Sequence, residues 1–371
     1  MHFRSLQITA FRNYPELTLA LSPGINAFTG PNGAGKTNLL EAVHYLALTR
    51  GFQSDPGATQ HGENFFLLKA QVAGAAFAQQ LMCNFQKGSG KRILYDGEPL
   101  PRLSDHYGRV PLVAVLPEDT EIVTGPPKSR RKWLNMLLAQ LDRHYLELLI
   151  GYQKNLEARN ALLKTALEHR HPPDRSLAEV YELQLAQAGH QLQQQRAQFL
   201  NSFAPHFAAA YRALAPDTEE VARLNYQPNL AEGTTLAAWE AAFREHWDRD
   251  RLLGRTEAGL HRDEIRFTLQ DRAVRKFGSQ GQRKTYLLAL RLAEYNALSA
   301  AAPHAPLLLL DDVFDRLDAS RVAALAAWVH NAVAGQVFVT DTGKARLQTA
   351  FSADSSTEIQ YFKVNNGEIN R

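Results

Sequence analysis

The chain has 371 residues, 45% hydrophobic and 21% charged, with a formal net charge of +3. That length can bury a sizeable core in two or three domains, and the apolar fraction is ordinary for a soluble globular protein. No apolar stretch reaches the length a bilayer-spanning helix requires, which excludes a membrane span. The single cysteine, Cys83, excludes an intrachain disulfide and a cysteine-based zinc cluster. A lone cysteine and an N-terminus without an apolar signal core fit a cytoplasmic chain with no membrane partner. The modest charge neither requires nor excludes nucleic acid, so its local distribution has to decide.

The N-terminal part reads as strands. Phe3, Leu6, Ile8 and Phe11 have the spacing of an irregular or bulged strand, and Leu17–Leu21 alternates cleanly. Ile25–Thr29 is a short buried strand. It runs into Gly30, Pro31, Asn32, Gly33, Ala34, Gly35, Lys36 and Thr37, which fit G-x-x-x-x-G-K-[ST], the loop that wraps a nucleoside triphosphate. Glycines let successive backbone N–H groups point inward at phosphate oxygens; Lys36 reaches the β- and γ-phosphates and Thr37 offers its hydroxyl to Mg²⁺. Leu39, Leu40, Ala42, Val43, Tyr45 and Leu46 then recur at helical spacing, which sets a helix N-terminus against the phosphates. Residues 65–72 and 75–85 are further strands, Asp96-Gly97 turns a hairpin, and the apolar run 112–116 is a buried strand.

The middle is helical. Lys128, Arg130, Arg131 and Lys132 cluster at a helix start, a candidate contact for phosphates, and apolar residues from Trp133 to Ile150 fall on one helical face. His171-Pro172-Pro173-Asp174 breaks the next helix. Leu185, Leu192 and Phe199 then sit at heptad distance in a glutamine-rich helix, and the whole reads as a compact helical subdomain. Strand character returns at Ile265–Leu269, with a turn at Gln270-Asp271. Ser279, Gln280 and Gly281 then open a helix that runs to about Ala300, making a second anion-binding end.

Pro306–Asp312 is an apolar strand ending in two carboxylates. A strand of this kind places them at the carboxyl edge of a parallel sheet, where ligands bind in open α/β folds. Asp311 can hold Mg²⁺, and Asp312 can orient or deprotonate an attacking water. Asp318 follows within Asp315-Arg316-Leu317-Asp318, and Thr340-Asp341-Thr342 ends the next strand.

Taken together these motifs resemble the RecF family, bacterial recombination-mediator ATPases related to the SMC and Rad50 group. Phe11-Arg12-Asn13-Tyr14, Thr37-Asn38-Leu39-Leu40-Glu41-Ala42, the basic segment Gly125–Arg131, His261-Arg262-Asp263 and Ser279-Gln280-Gly281-Gln282 carry the resemblance. It implies an α/β fold, an ABC-type ATPase head with a mixed sheet and a P-loop, plus a helical second lobe. Lobes are expected at 1–127 and 248–371 for the ATPase and 128–247 for the helices. It also implies that Arg12 and Asn38 join the phosphate loop around ATP, with Lys36 and Asp312 catalytic. Ser279–Gly281 would reach a partner's γ-phosphate, and Asp318 would line the dimer interface. The implied partners are double-stranded DNA, gapped or single-strand/double-strand junction DNA, a second copy of the chain bound through ATP, and RecR and RecO, which help to load RecA. The chain departs from the family pattern at Leu260 and Glu264 around His261-Arg262-Asp263, at Arg283-Lys284, and at Arg316. No histidine stands after Thr340, where the family keeps a switch residue; Asp341 or Thr342 could substitute. Two rival readings share the nucleotide motifs: the ATPase subunit of a membrane transporter, and a nucleotide-gated protein scaffold.

Overall fold

The computed structural model describes residues 1–52, 55–315, 317–351 and 358–370. Arg316 lies outside these. The chain packs as two units, one of Met1–Thr120, Ala210–Thr218 and Lys284–Arg371, the other of Glu121–Ala209 and Glu219–Arg283. Residues 248–283, expected with the C-terminal ATPase segment, pack instead with the helical segment. The reason is strand pairing: Glu264–Leu269 runs antiparallel to Ala222–Gln227, a polar strand that the sequence pattern does not reveal.

The first unit contains two six-stranded sheets. One is antiparallel and begins with Tyr14–Ala20 beside His2–Phe11, which is bulged between Phe3 and Ser5. Phe3, Leu6, Ile8 and Phe11 are all buried there, as their spacing predicts. The strand expected over 75–85 is confined to Gln80–Gln86. Asp96 and Gly97 take positive φ at the hairpin tip, the geometry that a two-residue turn between twisted strands needs.

The other sheet carries the chemistry. Its central strands are parallel, in the order Ile359–Asn365, Ile25–Thr29, Val337–Asp341, Leu307–Asp311 and Leu112–Val115, with Glu368–Asn370 antiparallel at one edge. The three middle strands are buried along their whole length, as their largely apolar character predicts. Register decides what meets at their ends. Thr29 lies opposite Asp341, and Thr340 lies opposite Asp311, so the phosphate loop and both acidic strand ends emerge side by side.

In the second unit the helices Pro127–Leu141 and Arg143–Glu168 are separate, although the apolar pattern reads as one face from Trp133 to Ile150. Asp142 breaks them: its backbone is extended and its carboxylate accepts from His144 N–H, capping the second helix. The Arg175–Leu214 helix is 40 residues long, about 60 Å at 1.5 Å per residue, and buries Leu185 and Leu192. Gln270 and Asp271 both take positive φ and turn Glu264–Leu269 back into Arg272–Ala273.

Arginine-carboxylate clusters hold this unit's interior. Arg159 is fully buried, donating to Glu182 and Asp250 (2.8 and 2.7 Å) and to the Thr256 hydroxyl, with the Phe243 and Trp247 rings against its guanidinium. Arg196 donates to Asp263 at 2.7 Å and to Asn135 at 2.8 Å. Every donor aimed at an acceptor offsets the desolvation that an unpaired buried charge would impose.

Candidate nucleotide site

Gly30–Thr37 joins the Ile25–Thr29 strand to the Lys36–Leu48 helix, the arrangement its pattern requires. Two glycines are demanded by their surroundings. A Cβ on Gly30 would lie 2.1 Å from the Val364 carbonyl oxygen, so the C-terminal strand sets that requirement. Gly35, with φ of 112°, caps the helix in a left-handed conformation, and a Cβ there would meet the Asn13 side chain at 2.5 Å. Pro31, Asn32 and Gly33 are exposed, whereas Ala34, Gly35 and Lys36 are buried. The loop therefore offers its outer backbone to a ligand while its base is fixed in the core.

The turn Arg12-Asn13-Tyr14 braces that base. Tyr14 donates to Gly35 O (3.0 Å), Asn13 Nδ2 to Ala34 O (3.3 Å), and Asn38 Nδ2 to Asn13 Oδ1 (2.8 Å). Arg12 is occupied: its Nε and Nη2 donate to the two oxygens of buried Glu41 at 2.8 and 2.7 Å. Asn38 and Arg12 thus tie the turn to the helix that follows the loop. Gly367 N–H donates to Ala34 O at 3.1 Å, so the C-terminal hairpin closes on the loop as well. The sequence pattern shows neither this hairpin nor the strand before it.

Lys36, only 7% exposed, folds over the loop and donates to Gly30 O (2.8 Å) and Pro31 O (3.0 Å). Burial lowers its pKa, opposed by the nearby Asp312, Asp311 and Asp341 carboxylates. Thr37 donates its hydroxyl proton to Asp311 Oδ2 at 2.8 Å, bringing the two motifs together across 274 residues of chain. A hydroxyl and a carboxylate are hard oxygen donors of the kind Mg²⁺ takes alongside waters and phosphate oxygens. Among the described residues no group of three or more His, Cys, Asp or Glu could hold a metal, so such a cation would rely on this pair and on the nucleotide.

Asp312 sits one residue further, with φ of 50°. Its Oδ1 is buried without a hydrogen-bond partner. Burial raises its pKa, helped by repulsion from Asp341, Asp315 and Asp311 and opposed by Lys36.

The remaining predicted residues lie elsewhere. Ser279 belongs to the second unit, on an exposed helix start, where its hydroxyl accepts from Gln282 N–H (3.2 Å) and its own N–H donates to Gln282 Oε1 (2.6 Å). That reciprocal pair is a capping box. Gln280 is exposed beside it and Gly281 half-buried. Asp318 caps the Ala319–Ala332 helix, accepting from Arg321 N–H at 2.9 Å. The basic cluster divides. Arg130 is 5% exposed and bidentate to Glu264 at 2.8 and 2.9 Å, with its third nitrogen on Gly125 O. It is a packing residue, closed to a phosphate. Arg131 is half-buried and donates to Asp263 O, while Lys128 and Lys132 are exposed.

The parallel sheet, the strand–glycine loop–helix unit and the paired acidic strand end define an ABC-type ATPase head. A family profile described as an AAA domain matches residues 5–122. Relatives called "DNA replication and repair protein RecF" match end to end: that of Parabacteroides distasonis is 36% identical over 371 residues, covering 100% of this chain and 99% of its own. That of Cytophaga hutchinsonii is 34% identical, covering 100% and 96%. A solved structure of the recombination mediator RecF with ATP superposes with a TM-score of 0.87 at 25% identity, covering 100% of this chain and 97% of that one. The Smc head domain of Pyrococcus furiosus shares the fold, with a TM-score of 0.56 at 15% identity, covering 99% and 95%. The chain belongs to the RecF family.

Proposed function

We propose that the protein is an ATP-dependent DNA-binding protein of recombinational repair and replication restart, which dimerises on DNA through two shared ATP sites and hydrolyses slowly. The observation that carries the nucleotide half of this reading is the 2.8 Å contact between Thr37 and Asp311. Family membership and the ATP-bound relative support the rest. The loop's N–H groups and Lys36 hold the phosphates, and Thr37 with Asp311 would hold Mg²⁺, which would supply charge neutralisation at the phosphates. Asp312 orients the attacking water and takes its proton.

The phosphate loop and Ser279 each end at a helix start, and both suit the same γ-phosphate. In this reading Ser279 approaches the nucleotide held by a second copy, across a two-fold interface lined by Asp318. A ligand bound only by the dimer favours association by about 2.7 kcal/mol at a hundredfold excess over its Kd. Hydrolysis removes the bridging phosphate and reopens the clamp, so the weak ATPase acts as a switch. Lys128, Arg131 and Lys132 are the proposed DNA contacts. Duplex and gapped or junction DNA are the proposed substrates, and RecR and RecO the proposed partners in placing RecA at gaps. Among the described residues no helix is long and apolar enough to cross a membrane.

Gel shifts with duplex and gapped DNA, with and without ATP and at several salt concentrations, test the reading. ATP should tighten binding, and affinity should fall steeply with salt, by about 0.9 log units per log unit for each phosphate neutralised. No shift of either DNA under any of these conditions would leave a protein-only scaffold.

A further inference from the structure

Thr340 is fully buried at the end of the Val337–Asp341 strand, between the phosphate-loop strand and the strand that delivers Asp311. A threonine hydroxyl has one proton to give and lone pairs to receive. Here it gives the proton to Asp311 Oδ1 at 2.6 Å and accepts the Asp312 N–H at 2.9 Å. Asp311 is therefore gripped on both oxygens, by Thr340 on one and by Thr37 on the other. If Thr37 turns its hydroxyl toward a cation, Thr340 alone keeps the carboxylate plane fixed. Its second bond acts at Asp312, whose backbone sits in the left-handed region that a side chain seldom adopts. One hydroxyl thus holds the Asp311 carboxylate and the Asp312 backbone. The neighbouring candidates do not share this position: Asp341 Oδ1 accepts from Gly343 N–H at 2.7 Å, its Oδ2 has only Arg346 at 3.6 Å, and Thr342 is exposed.

We infer that Thr340 is the positioning residue of the hydrolytic site: its hydroxyl sets the direction of the cation-holding Asp311 carboxylate and anchors the backbone that carries the water-orienting Asp312. This rests on the ATPase reading given above. The chemistry explains why threonine serves here. Valine matches the shape but leaves the Asp312 N–H without its acceptor and Asp311 without its donor, whereas serine keeps both bonds.

The test compares wild type, Thr340→Val and Thr340→Ser in three measurements: binding of a fluorescent ATP analogue without Mg²⁺, the Mg²⁺ concentration for half-maximal tightening of that binding, and steady-state hydrolysis. Outer-shell partners of metal-holding groups typically contribute about 10- to 100-fold to metal affinity or activity. Thr340→Val should lower kcat by about that factor and raise the Mg²⁺ requirement about tenfold, with metal-free ATP binding within about twofold of wild type. Thr340→Ser should restore both to within about threefold. A merely structural role would weaken metal-free binding in step with the rest. Thr340→Val hydrolysing and responding to Mg²⁺ as wild type does, or Thr340→Ser as impaired as Thr340→Val, overturns the inference while leaving the ATPase reading intact. Wild type that binds no ATP overturns both.

Discussion

Thr37 and Asp311 are 274 residues apart in the chain and 2.8 Å apart in space, whereas Arg130 and Arg131 are neighbours in the chain with different fates. In the first unit, parallel strands in fixed register carry distant motifs to one sheet edge, and the side chains there have little choice of direction. In the second, a helix turns its residues about 100° per step, so a run of positive charges is distributed around its circumference. Arg130 goes inward to Glu264 with Trp133, Leu134 and Leu137, while Lys128 and Lys132, four apart, stay outside. A motif whose chemistry resides in the backbone survives folding intact. A cluster defined only by charge is sorted by the helix into packing residues and surface residues.

The sharpest way to break this comparison is at the converging site. Asp311→Ala should reduce ATP hydrolysis by about a hundredfold or more, since it removes the carboxylate assigned to the cation. Hydrolysis near the wild-type rate would remove Asp311 from its assigned role. The second strike falls on the helix. Arg130→Met leaves Glu264 without its bidentate partner and should destabilise the second unit by about 1–3 kcal/mol, read as a lower denaturation midpoint. DNA affinity of the folded fraction should not change. Lys128→Ala and Lys132→Ala should do the reverse: unchanged midpoints, and a salt slope of DNA binding reduced by about 0.9 each. A salt slope altered by Arg130→Met and untouched by the lysine variants would invert the assignment.

A smaller effect sharpens the electrostatics of the converging site. Burial and neighbouring carboxylates raise the Asp312 pKa above its ordinary 3.8. Between the ordinary and the raised value the folded chain binds more protons than the unfolded one, so this group's contribution to stability falls as pH rises through that window. Asp312→Asn removes the fall. In melts of the nucleotide-free protein the variant should gain on wild type as pH rises from about 4, then hold a constant lead. A lead that shrinks with pH would mean that Asp312 is stabilised as an anion.

Much of the site is legible in the sequence because its elements announce themselves locally. Gly30–Thr37 between a strand and an apolar-periodic helix, and Leu307–Asp311 as an apolar run ending in acid, are both found where their patterns place them. What escapes the pattern depends on long-range pairing. Ile359–Asn365 mixes polar and apolar residues, and becomes a strand by lying beside Ile25–Thr29 and stacking Phe362 on Phe28. Ala222–Gln227 is a strand because Glu264–Leu269 pairs with it. The break at Asp142 has a local signal, an N-capping residue, overridden in the reading by apolar periodicity that runs through it. Arg12, assigned to the nucleotide by resemblance, is bidentate to Glu41, a contact that spacing in the chain cannot reveal.

We propose that ATP joins two copies, held by the phosphate loop of one and the Ser279 end of the other. Sedimentation velocity of wild type and Ser279→Arg, with and without ATP, tests it most directly, with binding of a fluorescent ATP analogue measured on both. Wild type should shift to the two-chain mass on adding ATP, while Ser279→Arg binds ATP equally well and keeps its nucleotide-free mass. A Ser279→Arg chain that shifts with ATP as wild type does would contradict the account.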